Sequence, residues 1–379
     1  MAKSEVKWIR LEQLISETDI RNSDGRYTLD SLRGLSIERK FITSKANMDG
    51  VSILPYKVVM PYDFCFVTVT SRNSDKITIA QNTSDEDYIV SSSYVTFRVR
   101  DTKELLPQYL MMWFNRSEFN RYARFHSWGS AREGFNYDDM CDVQIPIPYT
   151  DGKPDLEKQQ VVVDAWQGLR KMKEDNEQLV EPLMQLCRSY MESVKKKYNP
   201  THIGPFIEEV DERNTDLSIK LSQGINNKKY FQTPVQVAED SKSDKIVRKG
   251  YFAYNRATTR NSDKISIAYR DGEDCTVSSS YQVFRIIDEN IINPYFLLLW
   301  FKRPEFDRYA RFKSRGSAHE FFNFDEMQAV RVPLPDIEMQ RAIADIYLCA
   351  ERAKHIAEEA DRLSREICPA LMQHIIHEI

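Results

Sequence analysis

No apolar run in this chain reaches membrane-spanning length, and its first residues, MAKSEVKWIR, lack the apolar stretch of a secretion signal. Cysteine is sparse. Cys65, Cys141, Cys187, Cys275, Cys349 and Cys368 lie scattered with no C-x-x-C pair, so free thiols are expected rather than a disulfide framework. The six histidines show no ligand spacing, and no metal site is expected. A Gly-rich dinucleotide or AdoMet fingerprint is missing, as is the G-x-x-x-x-G-K-[ST] phosphate loop. The net charge of −4 gives no general attraction to nucleic acid, so any such binding must come from local patches. These absences point to a soluble cytoplasmic protein without a recognisable catalytic constellation.

What the chain does contain is a repetition of itself. EFNRYARFHSWGSAREGFNYDDM, starting at Glu118, returns as EFDRYARFKSRGSAHEFFNFDEM, starting at Glu305, with 16 of 23 positions identical. A displacement of 187 residues, about half of the 379, means a duplicated domain rather than a stacked repeat. RNSDKITIA (from Arg72) matches RNSDKISIA (from Arg260), and VSSSY occurs at Val90 and again at Val277. IPIP (Ile145–Pro148) pairs with VPLP (Val332–Pro335), and the helical segments LEKQQ and IEMQR follow, after an insert YTDGKP found only in the first copy. Residues 1–70 and 203–258 match much more weakly.

Local chemistry then assigns elements. ITIA, ISIA, YVTFRV and YQVFRI read as strands. Pro107 to Arg124 and Pro294 to Arg311 each read as helix, opened by proline. IPIP and VPLP read as stiff connectors. Asp155, Asp336 and Asn293 read as helix N-caps; this accounts for PDLEK and NPYF, which superficially resemble fragments of nuclease and methyltransferase sites. From about Asp155 to Tyr198, residues step alternately by four and three in a heptad seam, apolar except for Lys173 and Asn176, that includes Trp166, Leu169, Val180, Leu183 and Tyr190. The C-terminal segment repeats it with Ile346, Ala353, Ile356, Leu363 and Ile367, alanines permitting close approach. Pro182 and Pro369 are expected to kink or interrupt these helices. The fold expected is therefore α+β: globular residues 1–150, helical 151–200, globular 201–335, helical 336–379, the helices pairing as an antiparallel coiled coil.

Candidate binding residues gather in the repeated blocks. Arg121, Arg124 and Arg132, with Arg308, Arg311, Lys313 and Arg315 in the second copy, interleave with Tyr122, Phe125 and Trp128 or with Tyr309 and Phe312. Ser130 and Ser317 lie in small GSA turns where a backbone can approach phosphate. Arg72, Asn73 and Lys76, with Arg260, Asn261 and Lys264, and the turns Ser92, Ser93, Tyr94 and Ser279, Ser280, Tyr281, offer short donors and acceptors for phosphate or base edges. Solvated helix faces and ordinary turn chemistry would account for the same residues without any ligand. Positions that differ between copies, among them Trp128/Arg315 and Gly134/Phe321, would make two readouts unequal.

The duplicated order of GSA block, proline-rich exit and Glu-x-x-Gln or Glu-x-Gln helix start resembles the specificity subunit of Type I restriction–modification systems over essentially the whole chain. The resemblance implies that the globular parts are target recognition domains, each reading half of a bipartite double-stranded DNA target, with the helices setting the separation. It implies two adenine methyltransferase subunits docked on the chain, restriction subunits with ATP-driven translocation, and a bacterial or archaeal cytoplasm. It also implies that this chain is not an enzyme and binds no cofactor, AdoMet, ATP and Mg belonging to the partners. Similar domains suggest a near-palindromic interrupted target. The alternatives are a coiled-coil adaptor, a specificity subunit of a methylation-only defence complex, or a nuclease or methyltransferase of unfamiliar type.

Overall fold

The computed structural model describes residues 4–69, 76–128, 133–234, 242–257, 264–316 and 320–377. Its helices in chain order are α1 (Leu11–Leu14), α2 (Pro107–Phe114), α3 (Ser117–Phe125), α4 (Tyr137–Cys141), α5 (Leu156–Lys197), α6 (Pro294–Phe301), α7 (Pro304–Lys313), α8 (Phe324–Gln328) and α9 (Ile337–His377). Two compact units result. Met1–Asp175 with Ile356–Ile379 makes one, and Asn176–His355 makes the other.

Both units are built to one plan. In the first, an antiparallel sheet runs Ile15–Thr18, Val95–Val99, Phe64–Phe66, Ile79–Gln81; in the second, Ile207–Val210, Tyr281–Ile286, Tyr251–Asn255, Ile267–Tyr269. Each unit also has two short antiparallel pairs: Lys57–Val59 with Tyr88–Val90, and Arg33–Leu35 with Phe41–Thr43, against Lys245–Val247 with Cys275–Val277, and Gly224–Ile225 with Phe231–Gln232. The strands expected from YVTFRV and YQVFRI thus sit second in each sheet, and stacked rings (Phe64 on Phe97, Phe252 on Phe284) fill equivalent places in the two cores.

The amino-terminal parts of the units share this plan although their sequences have drifted. Asn22 and Asn214, both fully buried, each donate Nδ2 (to the Tyr27 or Ile219 carbonyl) and accept from the same residue's N–H. Arg39 and Lys229 both adopt left-handed backbone (φ 62° and 66°) at the tip of a short hairpin. Their side chains turn inward, to the carbonyl of Phe114 and that of Phe301, the last residues of α2 and α6. A cation there satisfies a helix end that would otherwise be an orphan acceptor. Arg39 also donates to Asn120, whereas Lys229 lies 2.7 Å from Asp307, which occupies the equivalent position. The partners have changed together, a neutral amide for arginine and a carboxylate for lysine.

Three expectations are corrected. The single helices read from Pro107 and Pro294 are each two helices, broken at Asn115–Arg116 and Lys302–Arg303. In the second copy Pro304 supplies no N–H to continue the helix. IPIP lies within a strand, Gln144–Thr150 against Ser4–Arg10, and the first two residues of VPLP end another, Arg331–Pro333 against Pro200–His202. Pro146 and Pro148 alternate, so their missing donors fall on one edge of the first strand. Finally, α5 runs through Pro182, and α9 through Pro369, without a break. Pro182 is exposed, and water can take the carbonyl it frees.

The N-caps are as expected: Asp155 accepts from the Lys158 N–H at 3.0 Å, Asp336 from that of Met339 at 2.9 Å, and Asn293 from Tyr295 and Phe296. Gln159 and Gln340, wholly buried one turn into α5 and α9, accept from the backbone N–H of Leu106 and Asn293, both at 2.9 Å. The helix starts are thereby stitched to the loops leading into α2 and α6.

α5 packs against α9, Lys173 meeting Asp361 at 2.8 Å and the Cys187 thiol facing the Ile343 carbonyl, so the order reverses along the second helix. Trp166 is buried; Leu169, Val180, Leu183, Ile346 and Leu363 are half-buried; Ala353 is buried. Tyr190 and Ile356 are exposed, 45% and 40%, and do not lie in the seam. Met191 and Ala357 are buried in their stead, and Ala350, Ala353, Ala357 and Ala360 make a stripe of small buried residues along α9. The Ile367 side chain lies outside the described residues.

Two measurements follow. Lys229→Met leaves Asp307 buried without its cation and should destabilise the second unit by about 3–5 kcal/mol; Lys229→Arg combined with Asp307→Asn, which restores the first unit's pairing, should recover most of it in urea denaturation. Lys302, over the rings of Tyr230 and Tyr347 at 3.9 and 5.0 Å, has its pKa lowered to about 8 by burial. The unfolded chain therefore holds more protons between this value and the ordinary lysine pKa, and stability rises with pH from about 8 to about 10.4. Thermal melts of Lys302→Met should lack that rise and start from a higher midpoint at pH 7.

Candidate functional site

α3 and α7 bury one face and expose the other. Phe119 and Ala123, and equivalently Phe306 and Ala310, turn into the cores. Acidic residues open each helix (Glu118; Glu305 and Asp307) and basic ones close it (Arg124; Arg311 and Lys313), the order the helix dipole favours. Arg121 and Arg308 stand outward with side chains 72% exposed, 3.6 Å from Glu118 and 4.0 Å from Glu305. Arg124 pairs with Glu133, and Arg311 with Glu320 at 3.2 Å. Pairs at this exposure contribute about 0–1 kcal/mol, so a phosphate can replace the carboxylate at little expense.

After each helix the chain closes a two-residue bridge. Trp128 and Gly134 exchange backbone hydrogen bonds of 3.1 and 2.9 Å; Arg315 and Phe321 do so at 3.0 and 2.9 Å. One residue on, Phe135 donates to the Thr68 carbonyl and Phe322 to that of Arg256, both at 2.9 Å, fixing the bridge to the sheet. In sequence the GSA segment falls between the two arms. Ser130 and Ser317 of that segment lie outside the described residues, as do Arg132, Arg72, Asn73, Arg260 and Asn261. The scaffold is the same in both units, while its side chains differ. Trp128, 70% exposed, faces glycine; Arg315, its side chain 81% exposed, faces Phe321.

The VSSSY segments are turns, Tyr94 donating to the Ser91 carbonyl at 3.0 Å and Tyr281 to that of Ser278 at 2.9 Å. The Ser93 and Ser280 hydroxyls bond those of Ser91 and Ser278, while Ser92 and Ser279 are exposed, as are Lys76 and Lys264. Both tyrosines are half-buried anchors: burial pushes the Tyr94 phenol up, and the Tyr281 hydroxyl accepts from the Ile225 N–H at 3.3 Å. In the second unit Arg256 ties the turn to the bridge, donating to the Ser280 carbonyl at 3.2 Å with its guanidinium 5.9 Å from the Phe321 ring. Thr68 holds that place in the first unit, so comparing the copies gave no sign of Arg256.

Aromatic rings are interleaved with these cations. The Tyr122 and His126 rings lie 4.2 Å apart, tilted by 31°, Phe125 meets His126 edge-on at 5.2 Å, and Lys313 lies 6.0 Å from Tyr309 and 5.8 Å from Phe312. Burial raises the phenol pKa of Tyr122 and of Tyr309, keeping both as hydrogen-bond donors. No group of three metal-ligating side chains occurs among the described residues. Among them no helix is long and apolar enough to cross a membrane.

Residues 193–348 match the family described as Type I restriction modification DNA specificity domain. No curated protein matches the chain. The fold is that of a crystal structure of a Type-I restriction-modification system S subunit from M. genitalium, with a TM-score of 0.60 at 13% identity over 99% of this chain and 96% of that one. A crystal structure of the HsdS subunit from Thermoanaerobacter tengcongensis is similar at a TM-score of 0.38 and 14% identity, over 99% and 97%. The resemblance seen in the sequence is borne out by the family match over residues 193–348 and by the fold of the M. genitalium subunit.

Proposed function

We infer that this chain, which carries a Type I restriction modification DNA specificity domain, is the non-catalytic sequence-reading subunit of such a complex, each unit reading one half of a bipartite duplex target. The observation that carries the reading is the pair of exposed, cation-rich helix ends and bridges held on identical scaffolds. Arg121, Arg124, Arg308 and Arg311 neutralise phosphates, and the bridge residues face bases or sugar edges. The paired helices fix the distance between half-sites and give two adenine methyltransferase subunits a surface to dock on. Those subunits bring AdoMet and withdraw the adenine from the stack, and restriction subunits bring ATP and Mg. Since the scaffolds match, the half-sites are related and inverted; since Trp128/Gly134 has become Arg315/Phe321, they are not identical.

The test is DNA affinity against salt for the chain assembled with its methyltransferase subunits. Arg121→Ala with Arg308→Ala should reduce the slope of log K against log salt by about 2, close to 0.9 for each phosphate no longer neutralised. An unchanged slope and affinity would instead favour a coiled-coil adaptor. Exchanging the bridge of the first unit for that of the second, Trp128→Arg with Gly134→Phe, should alter base preference in one half-site only. A change in both halves, or in neither, would detach the bridge from readout.

A further inference from the structure

Phe125 and Phe312 are the most exposed large hydrophobic side chains among the described residues, at 77% and 82%. They occupy equivalent positions 187 residues apart, at the last turn of α3 and α7. An exposed phenylalanine alone needs no explanation, because much of any protein surface is apolar. Two equivalent ones do. Identity between copies arises from folding or from binding, and a ring standing in water makes little contribution to folding. Nearby positions have diverged, Trp128 to Arg315 and Gly134 to Phe321, yet both phenyls are retained.

The surroundings restrict what covers these rings. Arg121 and Arg124 lie four and one residues before Phe125, and Arg308 and Arg311 stand likewise before Phe312. His126 and Lys313 follow directly, within 5.2 and 5.8 Å of the rings. The arginines pair with Glu118, Glu133, Glu305 and Glu320 through exposed bridges that a competing anion can displace, so a partner that covers the rings and takes over these cations presents negative charge at the edge of an apolar surface. Duplex DNA has that chemistry, with phosphates flanking stacked bases, and apolar side chains that enter between base steps unstack them.

We propose that Phe125 and Phe312 are wedges, each entering a base step of the half-site its unit reads, with the neighbouring arginines on the flanking phosphates. The proposal rests on the DNA-reading function above and adds to it a means by which the target is deformed. Sequence preference at the wedged step then comes from how readily that step unstacks rather than from hydrogen bonds to base edges.

The experiment uses the chain assembled with its methyltransferase subunits and duplexes carrying 2-aminopurine at successive steps of each half-site. Wild-type assembly should raise fluorescence at one step per half-site. Phe125→Ala should abolish the rise in the first half-site alone, and Phe312→Ala in the second alone. Each should weaken binding about tenfold without changing the salt slope, because the arginines still neutralise the same phosphates. Phe125→Trp should retain the signal. Thermal melting should be unaffected by these surface changes, which separates contact from misfolding. Unchanged fluorescence and affinity in both alanine variants would overturn the wedge while leaving DNA reading intact. Loss of methyltransferase co-purification would overturn it too, assigning the rings to a protein interface. Failure of the wild-type assembly to bind duplex DNA would overturn the underlying reading and the wedge with it.

Discussion

Neither globular unit closes its core without a piece of a long helix. In the first unit Val162, Val163 and Trp166 of α5 lie in the same apolar cluster as Phe64, Phe97 and Phe114. In the second, Cys187, Met191 and Val194 of α5 join Ile343 and Tyr347 of α9 around Phe252, Phe284 and Phe301. Removing such side chains from water is worth about 1.5–3 kcal/mol each, so the helices are part of each unit's stability and not a separable tether. The buried glutamines Gln159 and Gln340 add direction to this apolar attachment, because their amides fit only one placement of each helix start against its unit.

Duplication is preserved most strictly where geometry is most demanding. The buried asparagines, the left-handed hairpin residues Arg39 and Lys229, and the bridges Trp128/Gly134 and Arg315/Phe321 all recur with the same backbone bonds. Side chains were free to change where a partner changed with them, as Arg39 with Asn120 became Lys229 with Asp307. They also changed where they face solvent, at Trp128 and Arg315. A scaffold held fixed with a variable outer surface is what two related but unequal readouts require.

Much of this was legible in the sequence, for physical reasons. Strands such as Val95–Val99 and Tyr281–Ile286 are dense in β-branched and aromatic residues, and Asp155, Asp336 and Asn293 announce helix starts by side chains that cap them. The seam was legible only to within one residue. A stripe of alanines has no apolar bulk to mark it, so Ile356 looked like the inward residue where Ala357 is. The weakly matching amino-terminal parts hid their duplication because the backbone there depends on single residues, Asn22 and Asn214, rather than on a pattern. Arg256 was invisible for the opposite reason: its contacts to Ser280 and Phe321 join segments far apart in sequence.

In the function proposed, one chain reads two related half-sites and directs chemistry performed elsewhere. Adenine-methylation mapping across the DNA of a methylation-free host tests it most directly, with the cognate methyltransferase subunit expressed alone and together with this chain. The account predicts a two-part motif that appears only when both are present, its halves related by inversion and differing at few positions. A motif written by the methyltransferase alone, or halves wholly unrelated to one another, would contradict it.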